Sequence, residues 1–330
     1  MARVVHFHRT GGPEVLQIEE LEVGEPGPNE MRVGIEAIGL NRAEALFRSG
    51  AYLEQPRRPA RIGYEASAIV EKLGGDVRGF KPGDKVSVIP AFSMNDYGVY
   101  AEETIVPAAA VVARPPGTTA IEAAAVWMAY LTAYGALIDI AKLAKGDHVI
   151  ITAASSSVGV AAIQIANSLG AIPIATTRTN GKKEALKTIG AAHVVVTSEQ
   201  NLVAEVMQVT DGAGARVTFD PIAGAGVLAL ADAARRGGIL VLYGWLSRDL
   251  TPFPLAAAMR KALTFRGYTL FELTRDSDRL KRAEEFITRG LAGGKLKPVI
   301  AKVFPFDRIV DAHRYLESNE QLGKIIVTVP

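Results

Sequence analysis

The chain has 330 residues, 48% of them apolar, and its 37 basic and 35 acidic residues are interspersed for a formal net charge of +2. That is enough for one large domain or two ordinary ones, with no basic cluster beside aromatics to hold nucleic acid. There is no cysteine, which excludes disulfides and thiolate metal sites and fits a reducing cytoplasm.

The opening MARVVHFHRTGG lacks the regions of a signal peptide and reads as a strand entering the fold. Through about residue 115 the pattern is strand-rich. MRVGIEAIGL, SAIVEKLG and DKVSVIP are short, β-branched and bounded by Gly, Pro or Asp. FKPGDKV is a turn before a strand, with Pro82 setting φ and Gly83 supplying a permissive backbone. After PPGTT at 115–119, IEAAAVWMAYLTAYGALIDIAKL is apolar on nearly every face, the pattern of a buried helix. No apolar run is read as reaching the ~18–20 residues of a bilayer span, so no membrane partner is expected.

From residue 147 strand and helix alternate. DHVIITAA, IPIATT, HVVVT, ARVTFDPI and GILVLYG are the strands. SVGVAAIQIANSLG, closed by Gly170, KKEALKTIG, NLVAEVMQVT and VLALADAARRGG are the helices between them. Short connections and this alternation predict a doubly wound α/β domain with a parallel sheet. LTFRGYTLF then precedes an amphipathic helix, DRLKRAEEFITRGLAGG, followed by KPVIAKVFPF, a helix around DAHRYLES and a last strand, GKIIVTVP.

The first strand and helix of the alternating series are joined by Ala154-Ser155-Ser156-Ser157-Val158-Gly159. A dinucleotide site needs a tight turn here, close backbone approach to the pyrophosphate and helix N–H groups facing it. Small residues meet the first two needs, serine hydroxyls add donors, and Gly159 lets the helix pack on the strand. The second strand ends Thr176-Thr177-Arg178, with Lys182 and Lys183 behind it and no carboxylate before Glu184. An NAD site normally places Asp or Glu there, whereas a 2′-phosphate suits Arg178 and Lys182. NADPH is the expected cofactor, held by Ser155, Ser156, Ser157, Val158, Gly159, Thr177, Arg178 and Lys182.

The segments GPEVLQIEELEVGEPGPNEMRVGIEAIGLNRAEALFRSGAY, GYEASAIVEKLGGDVRGFKPGDKV, the serine loop with Gln164 after it, and GKIIVTVP give the whole chain a resemblance to the medium-chain dehydrogenase/reductase superfamily, and to its zinc-free quinone oxidoreductase branch. The loop reads Ser156-Ser157-Val158-Gly159 where that branch usually has Gly-Gly-Val-Gly. The resemblance implies an α/β protein with a GroES-like β-rich catalytic domain (1–120 and 267–330) and a Rossmann doubly wound NADPH domain (121–266). It implies that Tyr243 and Gly244 pass beside the nicotinamide, with Asp220-Pro221 and Gly224 nearby. It also implies that Asn41, Tyr64 and Met128 stand where zinc-dependent relatives place Cys, His and Cys, and such a set holds zinc poorly. No metal site is expected. His6 and His8 share a strand face without an evident third ligand and read, like His148, His193 and His313, as ordinary residues of the fold.

Without metal, hydride transfer to an electron-poor carbon needs positioning and a donor for the developing oxyanion, which suits quinones and α,β-unsaturated carbonyls. Tyr52 occupies the place where related enoyl reductases have a proton-donating tyrosine. Tyr64 is expected to face the cavity the zinc ligand vacates, and the Asn41 amide to meet a substrate oxygen. Phe92, Met94, Tyr97, Trp127, Met128 and Trp245 are candidate pocket walls, against the plainer reading of core. A 2-enoyl thioester reductase, with Arg57, Arg58 and Arg61 at the entrance, and a non-catalytic NADPH-binding structural or regulatory protein stay open. LTFRGYTLF resembles the edge strand through which relatives pair, so a homodimer is expected.

Overall fold

A computed structural model describes all residues, 1–330. They form two compact units, 1–128 with 298–330, and 129–297.

The first unit is built on a seven-stranded sheet. Its order is Ile300–Pro305, Lys324–Thr328, Glu30–Gly39, Ala66–Leu73, Lys85–Val88 and Val111–Ala113, with Glu103–Pro107 also pairing on Glu30–Gly39. Only the first two strands run parallel; the other pairs are antiparallel. Along Glu30–Gly39 every second side chain is buried, so Met31, Val33, Ile35 and Ala37 form one face of the core. At the strand's end a Cβ on Gly39 would lie 1.9 Å from the Ala124 carbonyl oxygen and 2.7 Å from Lys324 Cε. Only glycine admits those neighbours.

The second unit carries six parallel strands in the order His193–Val196, Ile172–Thr177, His148–Ile151, Ala215–Asp220, Ala234–Leu242 and Thr264–Gly267. Numbered along the chain, that order is 3-2-1-4-5-6, the dinucleotide-fold arrangement with its switch point between the first and fourth strands. Helix Ser157–Ser168 follows the first strand, and helices Lys183–Ile189, Leu202–Val209 and Gly226–Ala233 fill the later crossovers. Ile150, Ile174, Val195, Val206, Leu230 and Leu240 make its core.

Three features depart from the sequence reading. The apolar stretch after residue 119 is helix Ala120–Ala123, helix Trp127–Tyr134 and a π-helical turn Gly135–Ile140. By length and composition Ala120–Ile140 does match a membrane span, but 78% of its most apolar window is buried in the protein, as in a core helix. Helix Gly226–Ala233 stops before Arg235-Arg236-Gly237-Gly238, which belong to an irregular strand start where Ala234 and Ile239 pair with Ala215 and Val217. Residues 267–297 pack with the second unit rather than with the chain termini. Strand Thr264–Gly267 closes that unit's sheet, and Arg279 of helix Ser277–Ala292 is ion-paired with Asp139 at 2.6 Å.

Candidate functional site

The serine loop lies at the C-terminal end of strand His148–Ile151, beside the switch point. Ser156 caps the following helix, its Oγ accepting from Gly159 N at 3.0 Å. Ser155, Ser156, Ser157 and Val158 stay partly exposed while Gly159 is buried. Lys182 reaches back from the second strand's end and donates from Nζ to Ser155 Oγ at 3.2 Å. Thr177 is buried there, its Oγ1 donating to the Thr179 carbonyl at 3.2 Å. Arg178 is exposed and its guanidinium has no ion-pair partner. Tyr243 stacks on Phe219 with centroids 4.0 Å apart, and its buried hydroxyl has no hydrogen-bond partner. A Cβ at Gly244 would sit 2.8 Å from the Pro221 carbonyl oxygen.

These residues fit a dinucleotide. The loop is a cradle that side chains would fill, an orphaned phenol stands in the same unit, and the cationic strand end carries no competing carboxylate. Asp220 is otherwise engaged. It accepts from Thr152 Oγ1 and, at 2.7 Å, from Ala223 N, holding the next loop inside the fold.

In the first unit the positions compared with zinc ligands hold a buried charge cluster. Lys324, 1% exposed, donates from Nζ to Asn41 Oδ1 and to Glu65 Oε2, both at 2.5 Å. Glu65 also accepts from Met128 N at 3.0 Å. The other end of the Asn41 amide donates to the Gly39 carbonyl at 3.0 Å and to Glu44 Oε1 at 3.1 Å. The amide expected to meet a substrate oxygen is therefore committed at both ends inside the protein. Asn41 begins helix Arg42–Arg48, and Glu44 completes a capping box by accepting from Asn41 N. Glu44 is what sequence reasoning missed; Lys324 stands in GKIIVTVP where some relatives have a cofactor-facing basic residue, and here it is bonded to Asn41 and Glu65 instead.

Tyr64 has no exposed surface, so its phenol does not line an open surface cavity. It donates to Glu54 Oε1 at 3.4 Å and packs on Phe92 and Tyr52, with centroids 5.7 and 6.3 Å away. Tyr52 is half-buried, and burial pushes its phenol up to about 12. Tyr97 donates to Glu30 at 2.6 Å, Met94 and Trp127 are core, and Trp245 is half-exposed with Nε1 bonded to the Asp249 carbonyl. His6 and His8 both approach Glu19, at 3.4 and 2.5 Å. No group of three or more His, Cys, Asp or Glu side chains is arranged to hold a metal ion.

Two buried groups of this unit make opposite pH demands. Burial holds the Glu44 carboxyl up at about 7, against the attraction of Lys324. His313 is pushed down to about 3 by burial and then by Arg48 and Arg42. With a raised folded value, Glu44 stabilises fully below pH 4.5 and loses that contribution as pH rises through 7. With a depressed one, His313 stabilises fully above pH 6.5 and loses its contribution as pH falls towards 3. Between 4.5 and 6.5 the two slopes oppose each other. Glu44→Gln is expected to remove one of them, so that variant and wild type diverge by about 1.4 kcal/mol per pH unit between pH 4.5 and 7. Urea unfolding across that range checks it; parallel curves would refute it.

A 3-2-1-4-5-6 parallel sheet with a small-residue phosphate loop, joined to a β-rich unit formed by both chain ends, defines a two-domain dinucleotide-dependent oxidoreductase. Comparison with known proteins agrees. Residues 27–116 match the alcohol dehydrogenase GroES-like domain and residues 157–289 the zinc-binding dehydrogenase domain. Quinone oxidoreductase 1 of Escherichia coli K12 is 30% identical over 337 residues, covering 99% of both chains. A 2-haloacrylate reductase of Burkholderia is 28% identical, over 99% of this chain and 98% of that one. The solved structure of E. coli quinone oxidoreductase complexed with NADPH superposes with a TM-score of 0.92 at 30% identity, over 99% of this chain and all of that one. The chain belongs to the medium-chain dehydrogenase/reductase superfamily, in its quinone oxidoreductase-like branch.

Proposed function

We propose that this protein is an NADPH-dependent reductase that delivers hydride to a quinone or an α,β-unsaturated carbonyl without a metal. The observation that carries the reading is the serine loop at the switch point, tied by Lys182 to a strand end that offers Arg178 and no carboxylate. NADPH supplies the hydride when bound. Ser155, Ser156, Ser157, Val158 and Gly159 would hold its pyrophosphate, Thr177, Arg178 and Lys182 its 2′-phosphate, and Tyr243 and Gly244 would flank the nicotinamide. The NADPH complex of the E. coli relative supports NADPH as the cofactor. Asn41, Tyr64 and Met128 offer an amide, a phenol and a thioether, which supports a metal-independent step. Tyr52, its phenol protonated at neutral pH, is the proton donor to the reduced substrate. Asn41 acts by positioning, through Lys324.

NADPH oxidation with a panel of quinones, enones and enoyl thioesters tests the reading. Turnover above background with a conjugated acceptor is expected. No turnover with any of them would leave a cofactor-binding protein without this activity. Exclusive use of thioesters would favour the enoyl thioester alternative, for which Arg57 and Arg58 stand exposed after Tyr52.

Cofactor choice has its own measurement. Charge-assisted bonds from Arg178 to a 2′-phosphate are worth about 1.5–3 kcal/mol, so NADPH should bind at least about tenfold more tightly than NADH. Arg178→Ala should erase most of that preference. Equal affinities in the wild type would overturn the assignment. A cytoplasmic homodimer completes the proposal. Strand Thr264–Gly267 pairs on one side only, and exposed Leu250, Phe253, Leu255 and Met259 lie in the segment before it, Phe253 packing on Phe265 of that strand. A monomeric sedimentation mass would rule the dimer out.

A further inference from the structure

The strand end proposed to hold the 2′-phosphate carries a second, reactive feature. Between Arg178 and Lys182 the chain reads Thr179-Asn180-Gly181, and Asn180 alone of the seven asparagines is followed by glycine. Both residues are exposed. They open a short 3-10 turn, Asn180–Lys182, held in part by Lys183 N donating to the Asn180 carbonyl. First-turn N–H groups have no partner within a helix, and no acceptor meets Gly181 N. A Cβ built on Gly181 would find no atom within 4 Å, so nothing covers this backbone. The Asn180 amide is equally unengaged. By contrast Asn41, Asn95, Asn167 and Asn319 each donate from Nδ2 to a backbone carbonyl, and Asn201 accepts from Ala204 N. An exposed turn of three residues lies at the low end of local stability. Its opening lets Gly181 N swing to the Asn180 side chain, with no side chain at 181 to obstruct it.

We propose that Asn180-Gly181 is a self-modification site, and that its conversion to a carboxylate erodes the selection of NADPH over NADH. The inference rests on the reading of Arg178 and Lys182 as ligands of the 2′-phosphate. Gly181 N attacks the side-chain carbonyl carbon of Asn180, forming a five-membered imide. The Cγ–Nδ2 bond breaks, and that nitrogen leaves as ammonia with the proton lost from Gly181 N. Water then opens either C–N bond of the imide ring, leaving an aspartate or an isoaspartate at position 180. Amide and water become carboxylate and ammonium; nothing is oxidised or reduced. Position 180 stands two residues from each cation, so its Cα lies within about 7.6 Å of theirs, inside the Debye length at physiological salt. The new charge competes with the phosphate for Arg178 and Lys182 and repels it. It does not penalise NADH, whose ribose hydroxyls normally donate to a carboxylate at the end of the second strand.

The test ages the protein without cofactor at mildly alkaline pH, maps its asparagines by peptide mass spectrometry and measures the affinity for each cofactor. Position 180 should convert while the other six asparagines stay intact. Gly181→Ala should slow the conversion at least about threefold, through the backbone freedom that alanine removes. The φ of Gly181 lies outside the left-handed region and the space around it is open, so alanine fits. Asn180→Asp should weaken NADPH binding about 3–10-fold, the effect of one repulsive charge ~7 Å away across partly solvated space. NADH, which has no 2′-phosphate, should stay within about twofold. Aged wild type should shift in the same direction, and aged Gly181→Ala less. High salt should shrink the NADPH loss, which a merely structural disturbance would not do. An intact Asn180, an NADPH affinity unmoved by Asn180→Asp, or an equal loss for both cofactors overturns the proposal. If Arg178→Ala removes the NADPH preference and Asn180→Asp does not, the proposal fails and the cofactor reading stands. If the wild type binds both cofactors equally, the cofactor reading fails and takes the proposal with it.

Discussion

Lys324→Met is expected to destabilise the protein by about 3–5 kcal/mol, the usual consequence of removing one member of a buried ion pair. The ammonium is the only cation hydrogen-bonded to Glu65, which is fully buried, and the attraction it exerts on Glu44 offsets part of the burial that raises that carboxyl. Without it, Glu65 keeps the Met128 N–H and a desolvated charge. The Asn41 amide also loses the donor that fixes its oxygen. Adding Glu65→Gln should recover part of the loss, because the uncompensated charge then disappears. Urea unfolding of wild type, single and double variants measures it. A single-variant loss below about 1 kcal/mol, the range of exposed pairs, would show that the cluster is solvated. Against a total stability of about 5–15 kcal/mol, the expected loss is large.

Gly159→Val should weaken binding of NADPH and NADH alike, by at least about 100-fold, the cost of displacing positioned groups by ~1 Å. A Cβ at 159 would stand 2.5 Å from the Ala154 carbonyl oxygen and 2.6 Å from its Cα. These are backbone atoms that cannot swing aside. Ala153 already sits at φ +45°, so the turn has little freedom left to absorb the intrusion. Either the helix slides away from the strand or the loop opens, and both move the N–H groups meant for the pyrophosphate. The pattern separates this site from Arg178, whose removal should affect NADPH alone. Calorimetric titration with each cofactor decides it, and an affinity within about threefold of wild type would mean that the loop is not the phosphate cradle.

The βα alternation from residue 147 was legible because each element carries its own period and its own terminator; Gly170 and Gly190 stand at φ +73° and +115° at helix ends. The place of residues 267–297 was not. An amphipathic helix such as Ser277–Ala292 announces that one face is buried but not which sheet covers it. The serine loop and its cationic neighbour were readable because they lie within 30 residues of one another. The charge cluster was not, because Lys324 meets Asn41 and Glu65 from 283 and 259 residues away. Glu54 drew no attention in the sequence, since its partners at Ser93, Met94 and Asn95 come from a separate loop. Local pattern finds local chemistry, and the groups that position Asn41 and Tyr64 are held by long-range folding.

The missing thiol acquires a chemical meaning beside the proposed substrates. Quinones and conjugated carbonyls are soft electrophiles that alkylate exposed cysteine thiolates by conjugate addition. A catalyst that gathers them at its own surface is exposed to that adduct chemistry whenever a turnover fails. With no cysteine in 330 residues, this chain presents no sulfhydryl to such an acceptor and no sulfenate to a peroxide formed when hydroquinones reoxidise.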